Sequence, residues 1–520
     1  MLVHKETGSL LLRAPDPFYI RDLIPKSKTL DHADYNVALK HTVETTKVLR
    51  NIGIDAPAPI QSNYGWPGKY TPFDHQKVMA EFMTMNRRCF NLSEMGTGKT
   101  ASTLWAADYL MNVGHVRKAL VLSPLSTVER VWMHDIYDVL MHRVGVIVHG
   151  SKEQREKALN VDAEFYILNH DGVSIPWIEQ HVRRREDIDL VIVDEGSMFR
   201  NYDTEKYKAL SRMLRQDQRL WWLTGTPCPN VPTDAWAQTK IVNPSRVDKF
   251  FGAFQRRTMY KATTFKWLPK TDAYNIAYEA MQPAVRFKKA DCLDLPPVMT
   301  EDRQCGLTKQ QNKAFFDMKT LMMAEAKERQ ITAVNAADKI NKIRQILCGC
   351  VKDPKTGDYL TIPHAPRTSV LIEAIEQASA KVIVVVPFKG IIKDLENEIL
   401  AKRLSVAVLN GDVSPKVRDK IIRAFKEDTD PHVLLCHPKV MAHGLNLTEA
   451  DTLIFYAPIY SNDEYQQVIE RFNRTGQTRK MTVIRIGAHP IEWKIYSMVD
   501  TKKVTQDNIL NLYETITLET

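Results

Sequence analysis

The 520-residue sequence contains no run of 18 apolar residues, so no membrane-spanning helix is expected. Residues Met1 to Glu6 lack the charged and apolar regions of a secretory signal, and none is expected there. Cysteine is sparse: seven residues, an odd number, are scattered along the chain. That usage argues against a disulfide framework and for reduced thiols in a cytosolic compartment. Only Cys348 and Cys350 lie close together, and without a second pair or nearby histidines they do not make a zinc site. No short-period repeat and no low-complexity tract is present, which leaves no basis for a repeat array or a disordered polymer. What remains is ordinary for globular domains, with 44% apolar and 26% charged residues. The length suggests two to four domains. A formal charge of +9 leans weakly towards a polyanionic partner.

The most informative stretch is Ser93-Glu94-Met95-Gly96-Thr97-Gly98-Lys99-Thr100. It follows a mostly apolar run, Cys89 to Leu92, and opens a helical pattern at Ala101. Strand, glycine-rich loop and helix in that order form a phosphate cradle, with backbone N–H groups and a helix N-terminus facing the anion. In such a cradle Lys99 reaches the β- and γ-phosphates, and the Thr100 hydroxyl holds Mg²⁺. Ser93 stands where the first glycine of this loop is usually written. A second motif runs from Leu190 to Glu195: four apolar residues, three of them β-branched, end in two carboxylates. A buried parallel strand reads this way, and its C-terminal end is where open α/β sheets place their chemistry. There Asp194 is expected to hold the Mg²⁺ and Glu195 to orient and deprotonate the attacking water.

Candidate strands 88–92, 118–123, 145–149, 165–169, 190–194 and 219–224 alternate with helical patterns, predicting a doubly wound parallel sheet over residues 71–244. Strand signals fade over 245–363, where helices are predicted at 310–328 and 333–348. They return at 381–387, 405–410, 432–436, 451–457 and 481–487, predicting a second such sheet over 364–503. The α/β reading is thus two doubly wound lobes with a helical insertion between them. Residues 1–70 form an N-terminal accessory segment with one helical pattern near 36–50, and 504–520 form a tail.

The remaining motifs give the chain a resemblance. Arg219 to Asn230, containing Leu223-Thr224-Gly225-Thr226-Pro227, resembles the coupling motif of Swi/Snf-type, superfamily-two helicase-like ATPases. Leu120 to Ser126 with Trp132 is similar to their first DNA-contacting motif, and Asp194 to Asn201 to their second nucleotide motif. Arg286-Phe287-Lys288-Lys289 and Leu295-Pro296-Pro297 resemble the lead into their helical protrusion. Gly444 to Leu447 and Gln467 to Gln477 match the fifth and sixth motifs. The resemblance covers residues 71–500, and Ser197 departs from it by replacing a histidine.

The resemblance implies RecA-like lobes and DNA-dependent ATP hydrolysis. It implies that Gln76 reads the adenine edge, that residues 94–100 bind the phosphates, and that Gln467, Arg471 and Arg474 serve the nucleotide, the two arginines as fingers. Thr224, Gly225, Thr226 and Gly444 are the implied coupling residues. Ser123, His170, Lys389 and Asn446 are the implied contacts to a nucleic-acid backbone. The expected partner is duplex DNA read without sequence preference, the expected state a monomer, and the expected setting the cytoplasm of a bacterium or phage-infected cell. A strand-separating helicase and a non-catalytic nucleic-acid scaffold are the competing readings.

Overall fold

The computed structural model describes residues 1–500 apart from 230, 263–266, 293–297, 329–332, 354–355, 442–446, 474–476 and 478. The chain divides into two compact units, Met1–Leu293 and Asp294–Thr520. Among the described residues no helix is long and apolar enough to cross a membrane.

The first unit is built on a seven-stranded sheet. Its strands run Ala284–Val285, Arg88–Asn91, Arg219–Leu223, Ile188–Val193, Lys118–Ser123, Phe165–Asn169 and Gly145–Val148 from edge to edge, each parallel to its neighbours. The sequence dictates this burial. Leu190 and Ile192 enter the core on one face while Val191 and Val193 enter the core on the other. Trp221 and Trp222 divide between the two faces in the same way. A strand covered on both sides is apolar at successive positions, as these are over Leu190–Val193 and Leu220–Leu223.

The second unit carries a six-stranded parallel sheet. Its order is Val298–Gln304, Met481–Gly487, Ala450–Phe455, Lys381–Val385, Val433–Cys436 and Val406–Leu409. Helices Lys309–Glu328 and Ala333–Cys348 precede the inner strands and bury Phe315, Met322, Ile340 and Ile343 with Ile491 and Ile495. Two large parallel sheets therefore bear out the α/β class.

Two expectations change. The helix expected over 36–50 is a strand, Val37–Lys40, followed by a helix, Val43–Asn51. Thr42 caps that helix reciprocally with Thr45, which fixes its start, and the residues before it pair with Ser9–Leu12. Together with Leu2–His4 and Lys28–Thr29 they make a four-stranded antiparallel sheet over a core of Leu10, Leu12, Ile20, Val37, Leu39 and Leu49. Within 245–363, where no strand was expected, Ala284–Val285 joins the first sheet and Val298–Gln304 the second. The latter is an edge strand whose side chains are mostly exposed, so it carries no apolar pattern to read.

Candidate nucleotide site

The phosphate loop leaves the strand Arg88–Asn91 and enters the helix Lys99–Asn112. Gly96 and Gly98 have φ of +82° and +78°, a left-handed backbone that favours glycine. At Gly98 a Cβ would stand 1.9 Å from Nε2 of Gln76. Gln76 therefore lies against the loop. Its Oε1 accepts from the Phe73 amide at 2.9 Å, so its NH₂ is the side turned to the loop. His75, absent from the expected set, takes part as well: its Nε2 lies 2.9 Å from the Thr97 carbonyl, and its place one residue before Gln76 was the only signal.

Lys99 Nζ donates to the carbonyls of Ser93 at 2.7 Å and Glu94 at 3.0 Å, and Thr97 Oγ1 donates to the same Glu94 carbonyl. Ser93 explains its own departure from glycine. It is fully buried, and its hydroxyl accepts the Phe287 amide at 3.1 Å. The Glu94 carboxylate accepts the Lys289 amide at 3.0 Å. Thr100 occupies the first turn of the helix behind Lys99.

Asp194 and Glu195 follow the end of Ile188–Val193. The Asp194 carboxylate is held on both oxygens. Oδ2 accepts from Trp132 Nε1 at 2.9 Å and Ser123 Oγ at 3.3 Å, and Oδ1 accepts the Glu195 amide at 3.0 Å. Trp132 reaches it from a π-helical turn, Val128–Met133, a widened backbone that recurs at functional sites. Glu195 adopts φ 47°, ψ 49°, a conformation that costs a non-glycine residue about 1–3 kcal/mol and is retained where surroundings impose it.

Ser123 and His170, the implied contacts to a nucleic-acid backbone, are both buried, and both hydrogen-bond to Asp194. His170 Nε2 lies 2.8 Å from the Asp194 carbonyl, and burial lowers its pKa to about 4 against the opposing pull of that carbonyl. The ring is thus neutral at pH 7 and its N–H donates to the strand end. His170 also packs edge-on against Phe199, which packs on Trp222.

The segment 224–226, which follows the strand Arg219–Leu223, closes the group. Thr224 donates its amide to Asn91 O at 3.0 Å, and Thr226 donates its amide to Thr224 Oγ1. A Cβ on Gly225 would stand 3.3 Å from the Met95 amide, so this segment lies directly on the phosphate loop. A Cβ on Gly196 would meet Trp222 Nε1 at 2.0 Å, which only glycine avoids. Ser197 is buried beside it.

In the second unit, Gln467 and Arg471 share the helix Asn462–Phe472, with Gln467 half-buried and Arg471 buried. Gln477 Nε2 donates to Ala450 O at 2.9 Å, which fastens the end of that motif to the sheet. Lys389 opens the helix Lys389–Ala401, and its exposed ammonium pairs with Asp412 at 2.7 Å. Arg474, Gly444 and Asn446 lie outside the described residues.

A glycine loop and an Asp-Glu pair on the ends of two strands that flank Arg219–Leu223 in a parallel sheet, with a second parallel sheet in the same chain, define a helicase-like ATPase. Residues 75–356 match the SNF2-related domain, and 367–476 match the helicase conserved C-terminal domain. The first match alone covers more than half of the chain, which belongs to the SNF2-related family. The chain is 25% identical over 423 residues to an uncharacterised ATP-dependent helicase of Mycoplasma genitalium, covering 79% of this chain and 39% of that protein. It thus spans well under half of that relative. It is also 25% identical over 438 residues to the p41 protein of Acyrthosiphon pisum secondary endosymbiont phage 1, covering 79% of this chain and 90% of that one. Among solved structures, it is similar to the Sulfolobus solfataricus SWI2/SNF2 ATPase core in complex with dsDNA, at 21% identity and a TM-score of 0.42, covering 87% of this chain and 96% of that one.

Proposed function

We propose that this chain hydrolyses ATP to move along duplex DNA without reading its sequence, and so remodels protein–DNA complexes or anneals strands. The observation that carries the reading is the packing of phosphate loop, Asp194–Glu195 pair and coupling segment into one cluster on adjoining strand ends. Membership of the SNF2-related family supports it.

In this reading Lys99 exchanges the Ser93 and Glu94 carbonyls for phosphate oxygens, and the amides of 96–100 complete the cradle. The residues fit a Mg²⁺ ion: Asp194 is a carboxylate oriented by three donors, and Thr100 offers a hydroxyl at the helix start. The ion, when bound, neutralises charge on the phosphate oxygens. Glu195 holds the attacking water and accepts its proton. Gln467, Arg471 and Arg474 are assigned to the nucleotide, the two arginines as fingers, and an arginine finger contributes about 10³–10⁵ in rate. Thr224, Gly225, Thr226 and Gly444 are assigned to coupling. Lys389 and Asn446 remain the assigned phosphate contacts of the DNA, since Lys389 is exposed and basic.

Phosphate release measured with duplex, forked and single-stranded DNA and with RNA tests the reading. Stimulation by duplex is expected, and stimulation by none of the four overturns it. Strand displacement at a rate matching ATP turnover would instead identify a separating helicase.

The donors on Asp194 have a consequence of their own. Trp132→Phe keeps an aromatic ring but removes the N–H held by Oδ2. The Mg²⁺ concentration that half-saturates turnover should rise by about tenfold, the usual effect of losing a partner that orients a metal ligand. An unchanged Mg²⁺ dependence would show that Ser123 and the Glu195 amide suffice.

A further inference from the structure

We propose that Lys289 is a second lysine of the phosphate cradle, placing its ammonium on the phosphates of a nucleotide seated on loop 93–98. The proposal rests on the nucleotide reading above.

The backbone delivers Lys289 there step by step. Ala284 and Val285 pair in parallel with Phe90 and Asn91 at the sheet edge. The ladder does not stop where the strand ends. Leu92 donates its amide to Val285 O at 2.8 Å, the Phe287 amide donates to Ser93 Oγ, and Glu94 donates its amide to Phe287 O at 3.0 Å. The Lys289 amide then donates to the Glu94 carboxylate at 3.0 Å. Residues 285–289 thus accompany the phosphate loop rather than merely leaving the sheet.

Val285 and Phe287 pack against the core of the first unit, while Arg286 and Lys288 are exposed. Lys289 then opens the short helix Lys289–Cys292 and is half-buried. Its Cε and Nζ lie 3.4 and 3.6 Å from where a Cβ on Gly96 would stand. Because Gly96 has no side chain, nothing of its own separates the ammonium from the loop backbone on which phosphate oxygens rest. A lysine is a compact point charge suited to phosphate, and it acts here from a segment remote in sequence from Lys99.

Binding of ATP, ADP and AMP to the full chain, by equilibrium competition with a fluorescent ATP analogue, tests this with Lys289→Met and Lys289→Arg. For K289M, affinity for ATP should fall on the order of tenfold or more, with a smaller loss for ADP and the least for AMP. K289R should stay close to wild type. A purely structural lysine predicts equal losses for all three nucleotides, and either that result or no loss overturns the proposal. A measurement on the unaltered protein covers the case in which K289M fails to fold. Amine acylation followed by peptide mass spectrometry should show Lys289 protected by ATP and not by adenosine, and equal labelling with both overturns the proposal. Wild type that binds no nucleotide would overturn the functional reading itself, a result distinct from wild-type binding that K289M leaves intact.

Discussion

Glu195→Gln is expected to abolish ATP turnover while leaving ATP binding at its wild-type level. The two side chains are nearly isosteric, and both can hold a water molecule, but the amide cannot take its proton. Removing a positioned general base typically costs about 10²–10⁴ in rate. The backbone sharpens the expectation. Glu195 sits at φ 47°, ψ 49°, directly after the strand Ile188–Val193, with its amide bound to Asp194 Oδ1. Glutamine bears the same conformational strain there, so the substitution changes the chemistry and not the fold. Phosphate-release assays and equilibrium ATP binding, run side by side, separate the two effects. Turnover within a few-fold of wild type would remove Glu195 from the reaction. It would also return the scaffold reading to consideration, because a scaffold loses nothing when its base is neutralised.

Much of this arrangement is written plainly in the chain, and the parts that are not share a cause. Strands such as Lys118–Ser123, Phe165–Asn169 and Met481–Gly487 stand where the apolar runs placed them, since a strand covered on both faces leaves a continuous signature. The edge strand Val298–Gln304 leaves none. Its residues are Val, Met, Thr, Glu, Asp, Arg and Gln, and its place is fixed from outside, by pairing with Met481–Gly487 and by the Arg485–Asp302 ion pair. The short strands of the N-terminal sheet, down to two residues at Lys28–Thr29, are likewise defined by their partners. The site divides along the same line. Lys99, Asp194 and Glu195 are legible because phosphate chemistry restricts both residue type and spacing. Ser123 and His170 were placed correctly at strand ends, but sequence does not tell which way a polar side chain turns there. Both turn inward to Asp194. Lys289 is illegible for the strongest version of this reason, because only the parallel pairing of Ala284–Val285 with Phe90 and Asn91 brings it to Gly96.

The second large effect is expected in stability, at a buried ion pair of the second unit. Arg367 lies in the helix Ala365–Glu376 and Glu492 in the helix Pro490–Asp500, and both are fully enclosed. Burial opposes the charge on Arg367, yet the facing Glu492 carboxylate holds its pKa above the ordinary arginine value. Arg367 Nη2 donates to Glu492 Oε2, and Nη1 donates to Tyr456 O at 2.6 Å and Ile486 O at 3.3 Å. The Ala488 amide donates to the same Oε2 of Glu492 at 2.8 Å. One guanidinium thus joins two helices to the ends of two adjacent strands. Arg367→Met deletes one charge and leaves the other in the dark, along with two carbonyls deprived of a donor. Breaking such a pair from one side costs about 3–5 kcal/mol. For a unit of this size that lowers the melting temperature by roughly 6–20 °C. The double change Arg367→Met with Glu492→Leu removes the stranded carboxylate, so it should recover part of the loss, while the Tyr456 carbonyl, deprived of the Arg367 donor, keeps it below wild type by about 1–3 kcal/mol; the Ile486 carbonyl still accepts from the Tyr496 hydroxyl. Denaturant unfolding of wild type, single and double variants measures the order directly. A double variant less stable than the single would mean that Glu492 is held by its amide shell and not by Arg367, and a single variant within about 1 kcal/mol of wild type would mean that the pair contributes to orientation alone.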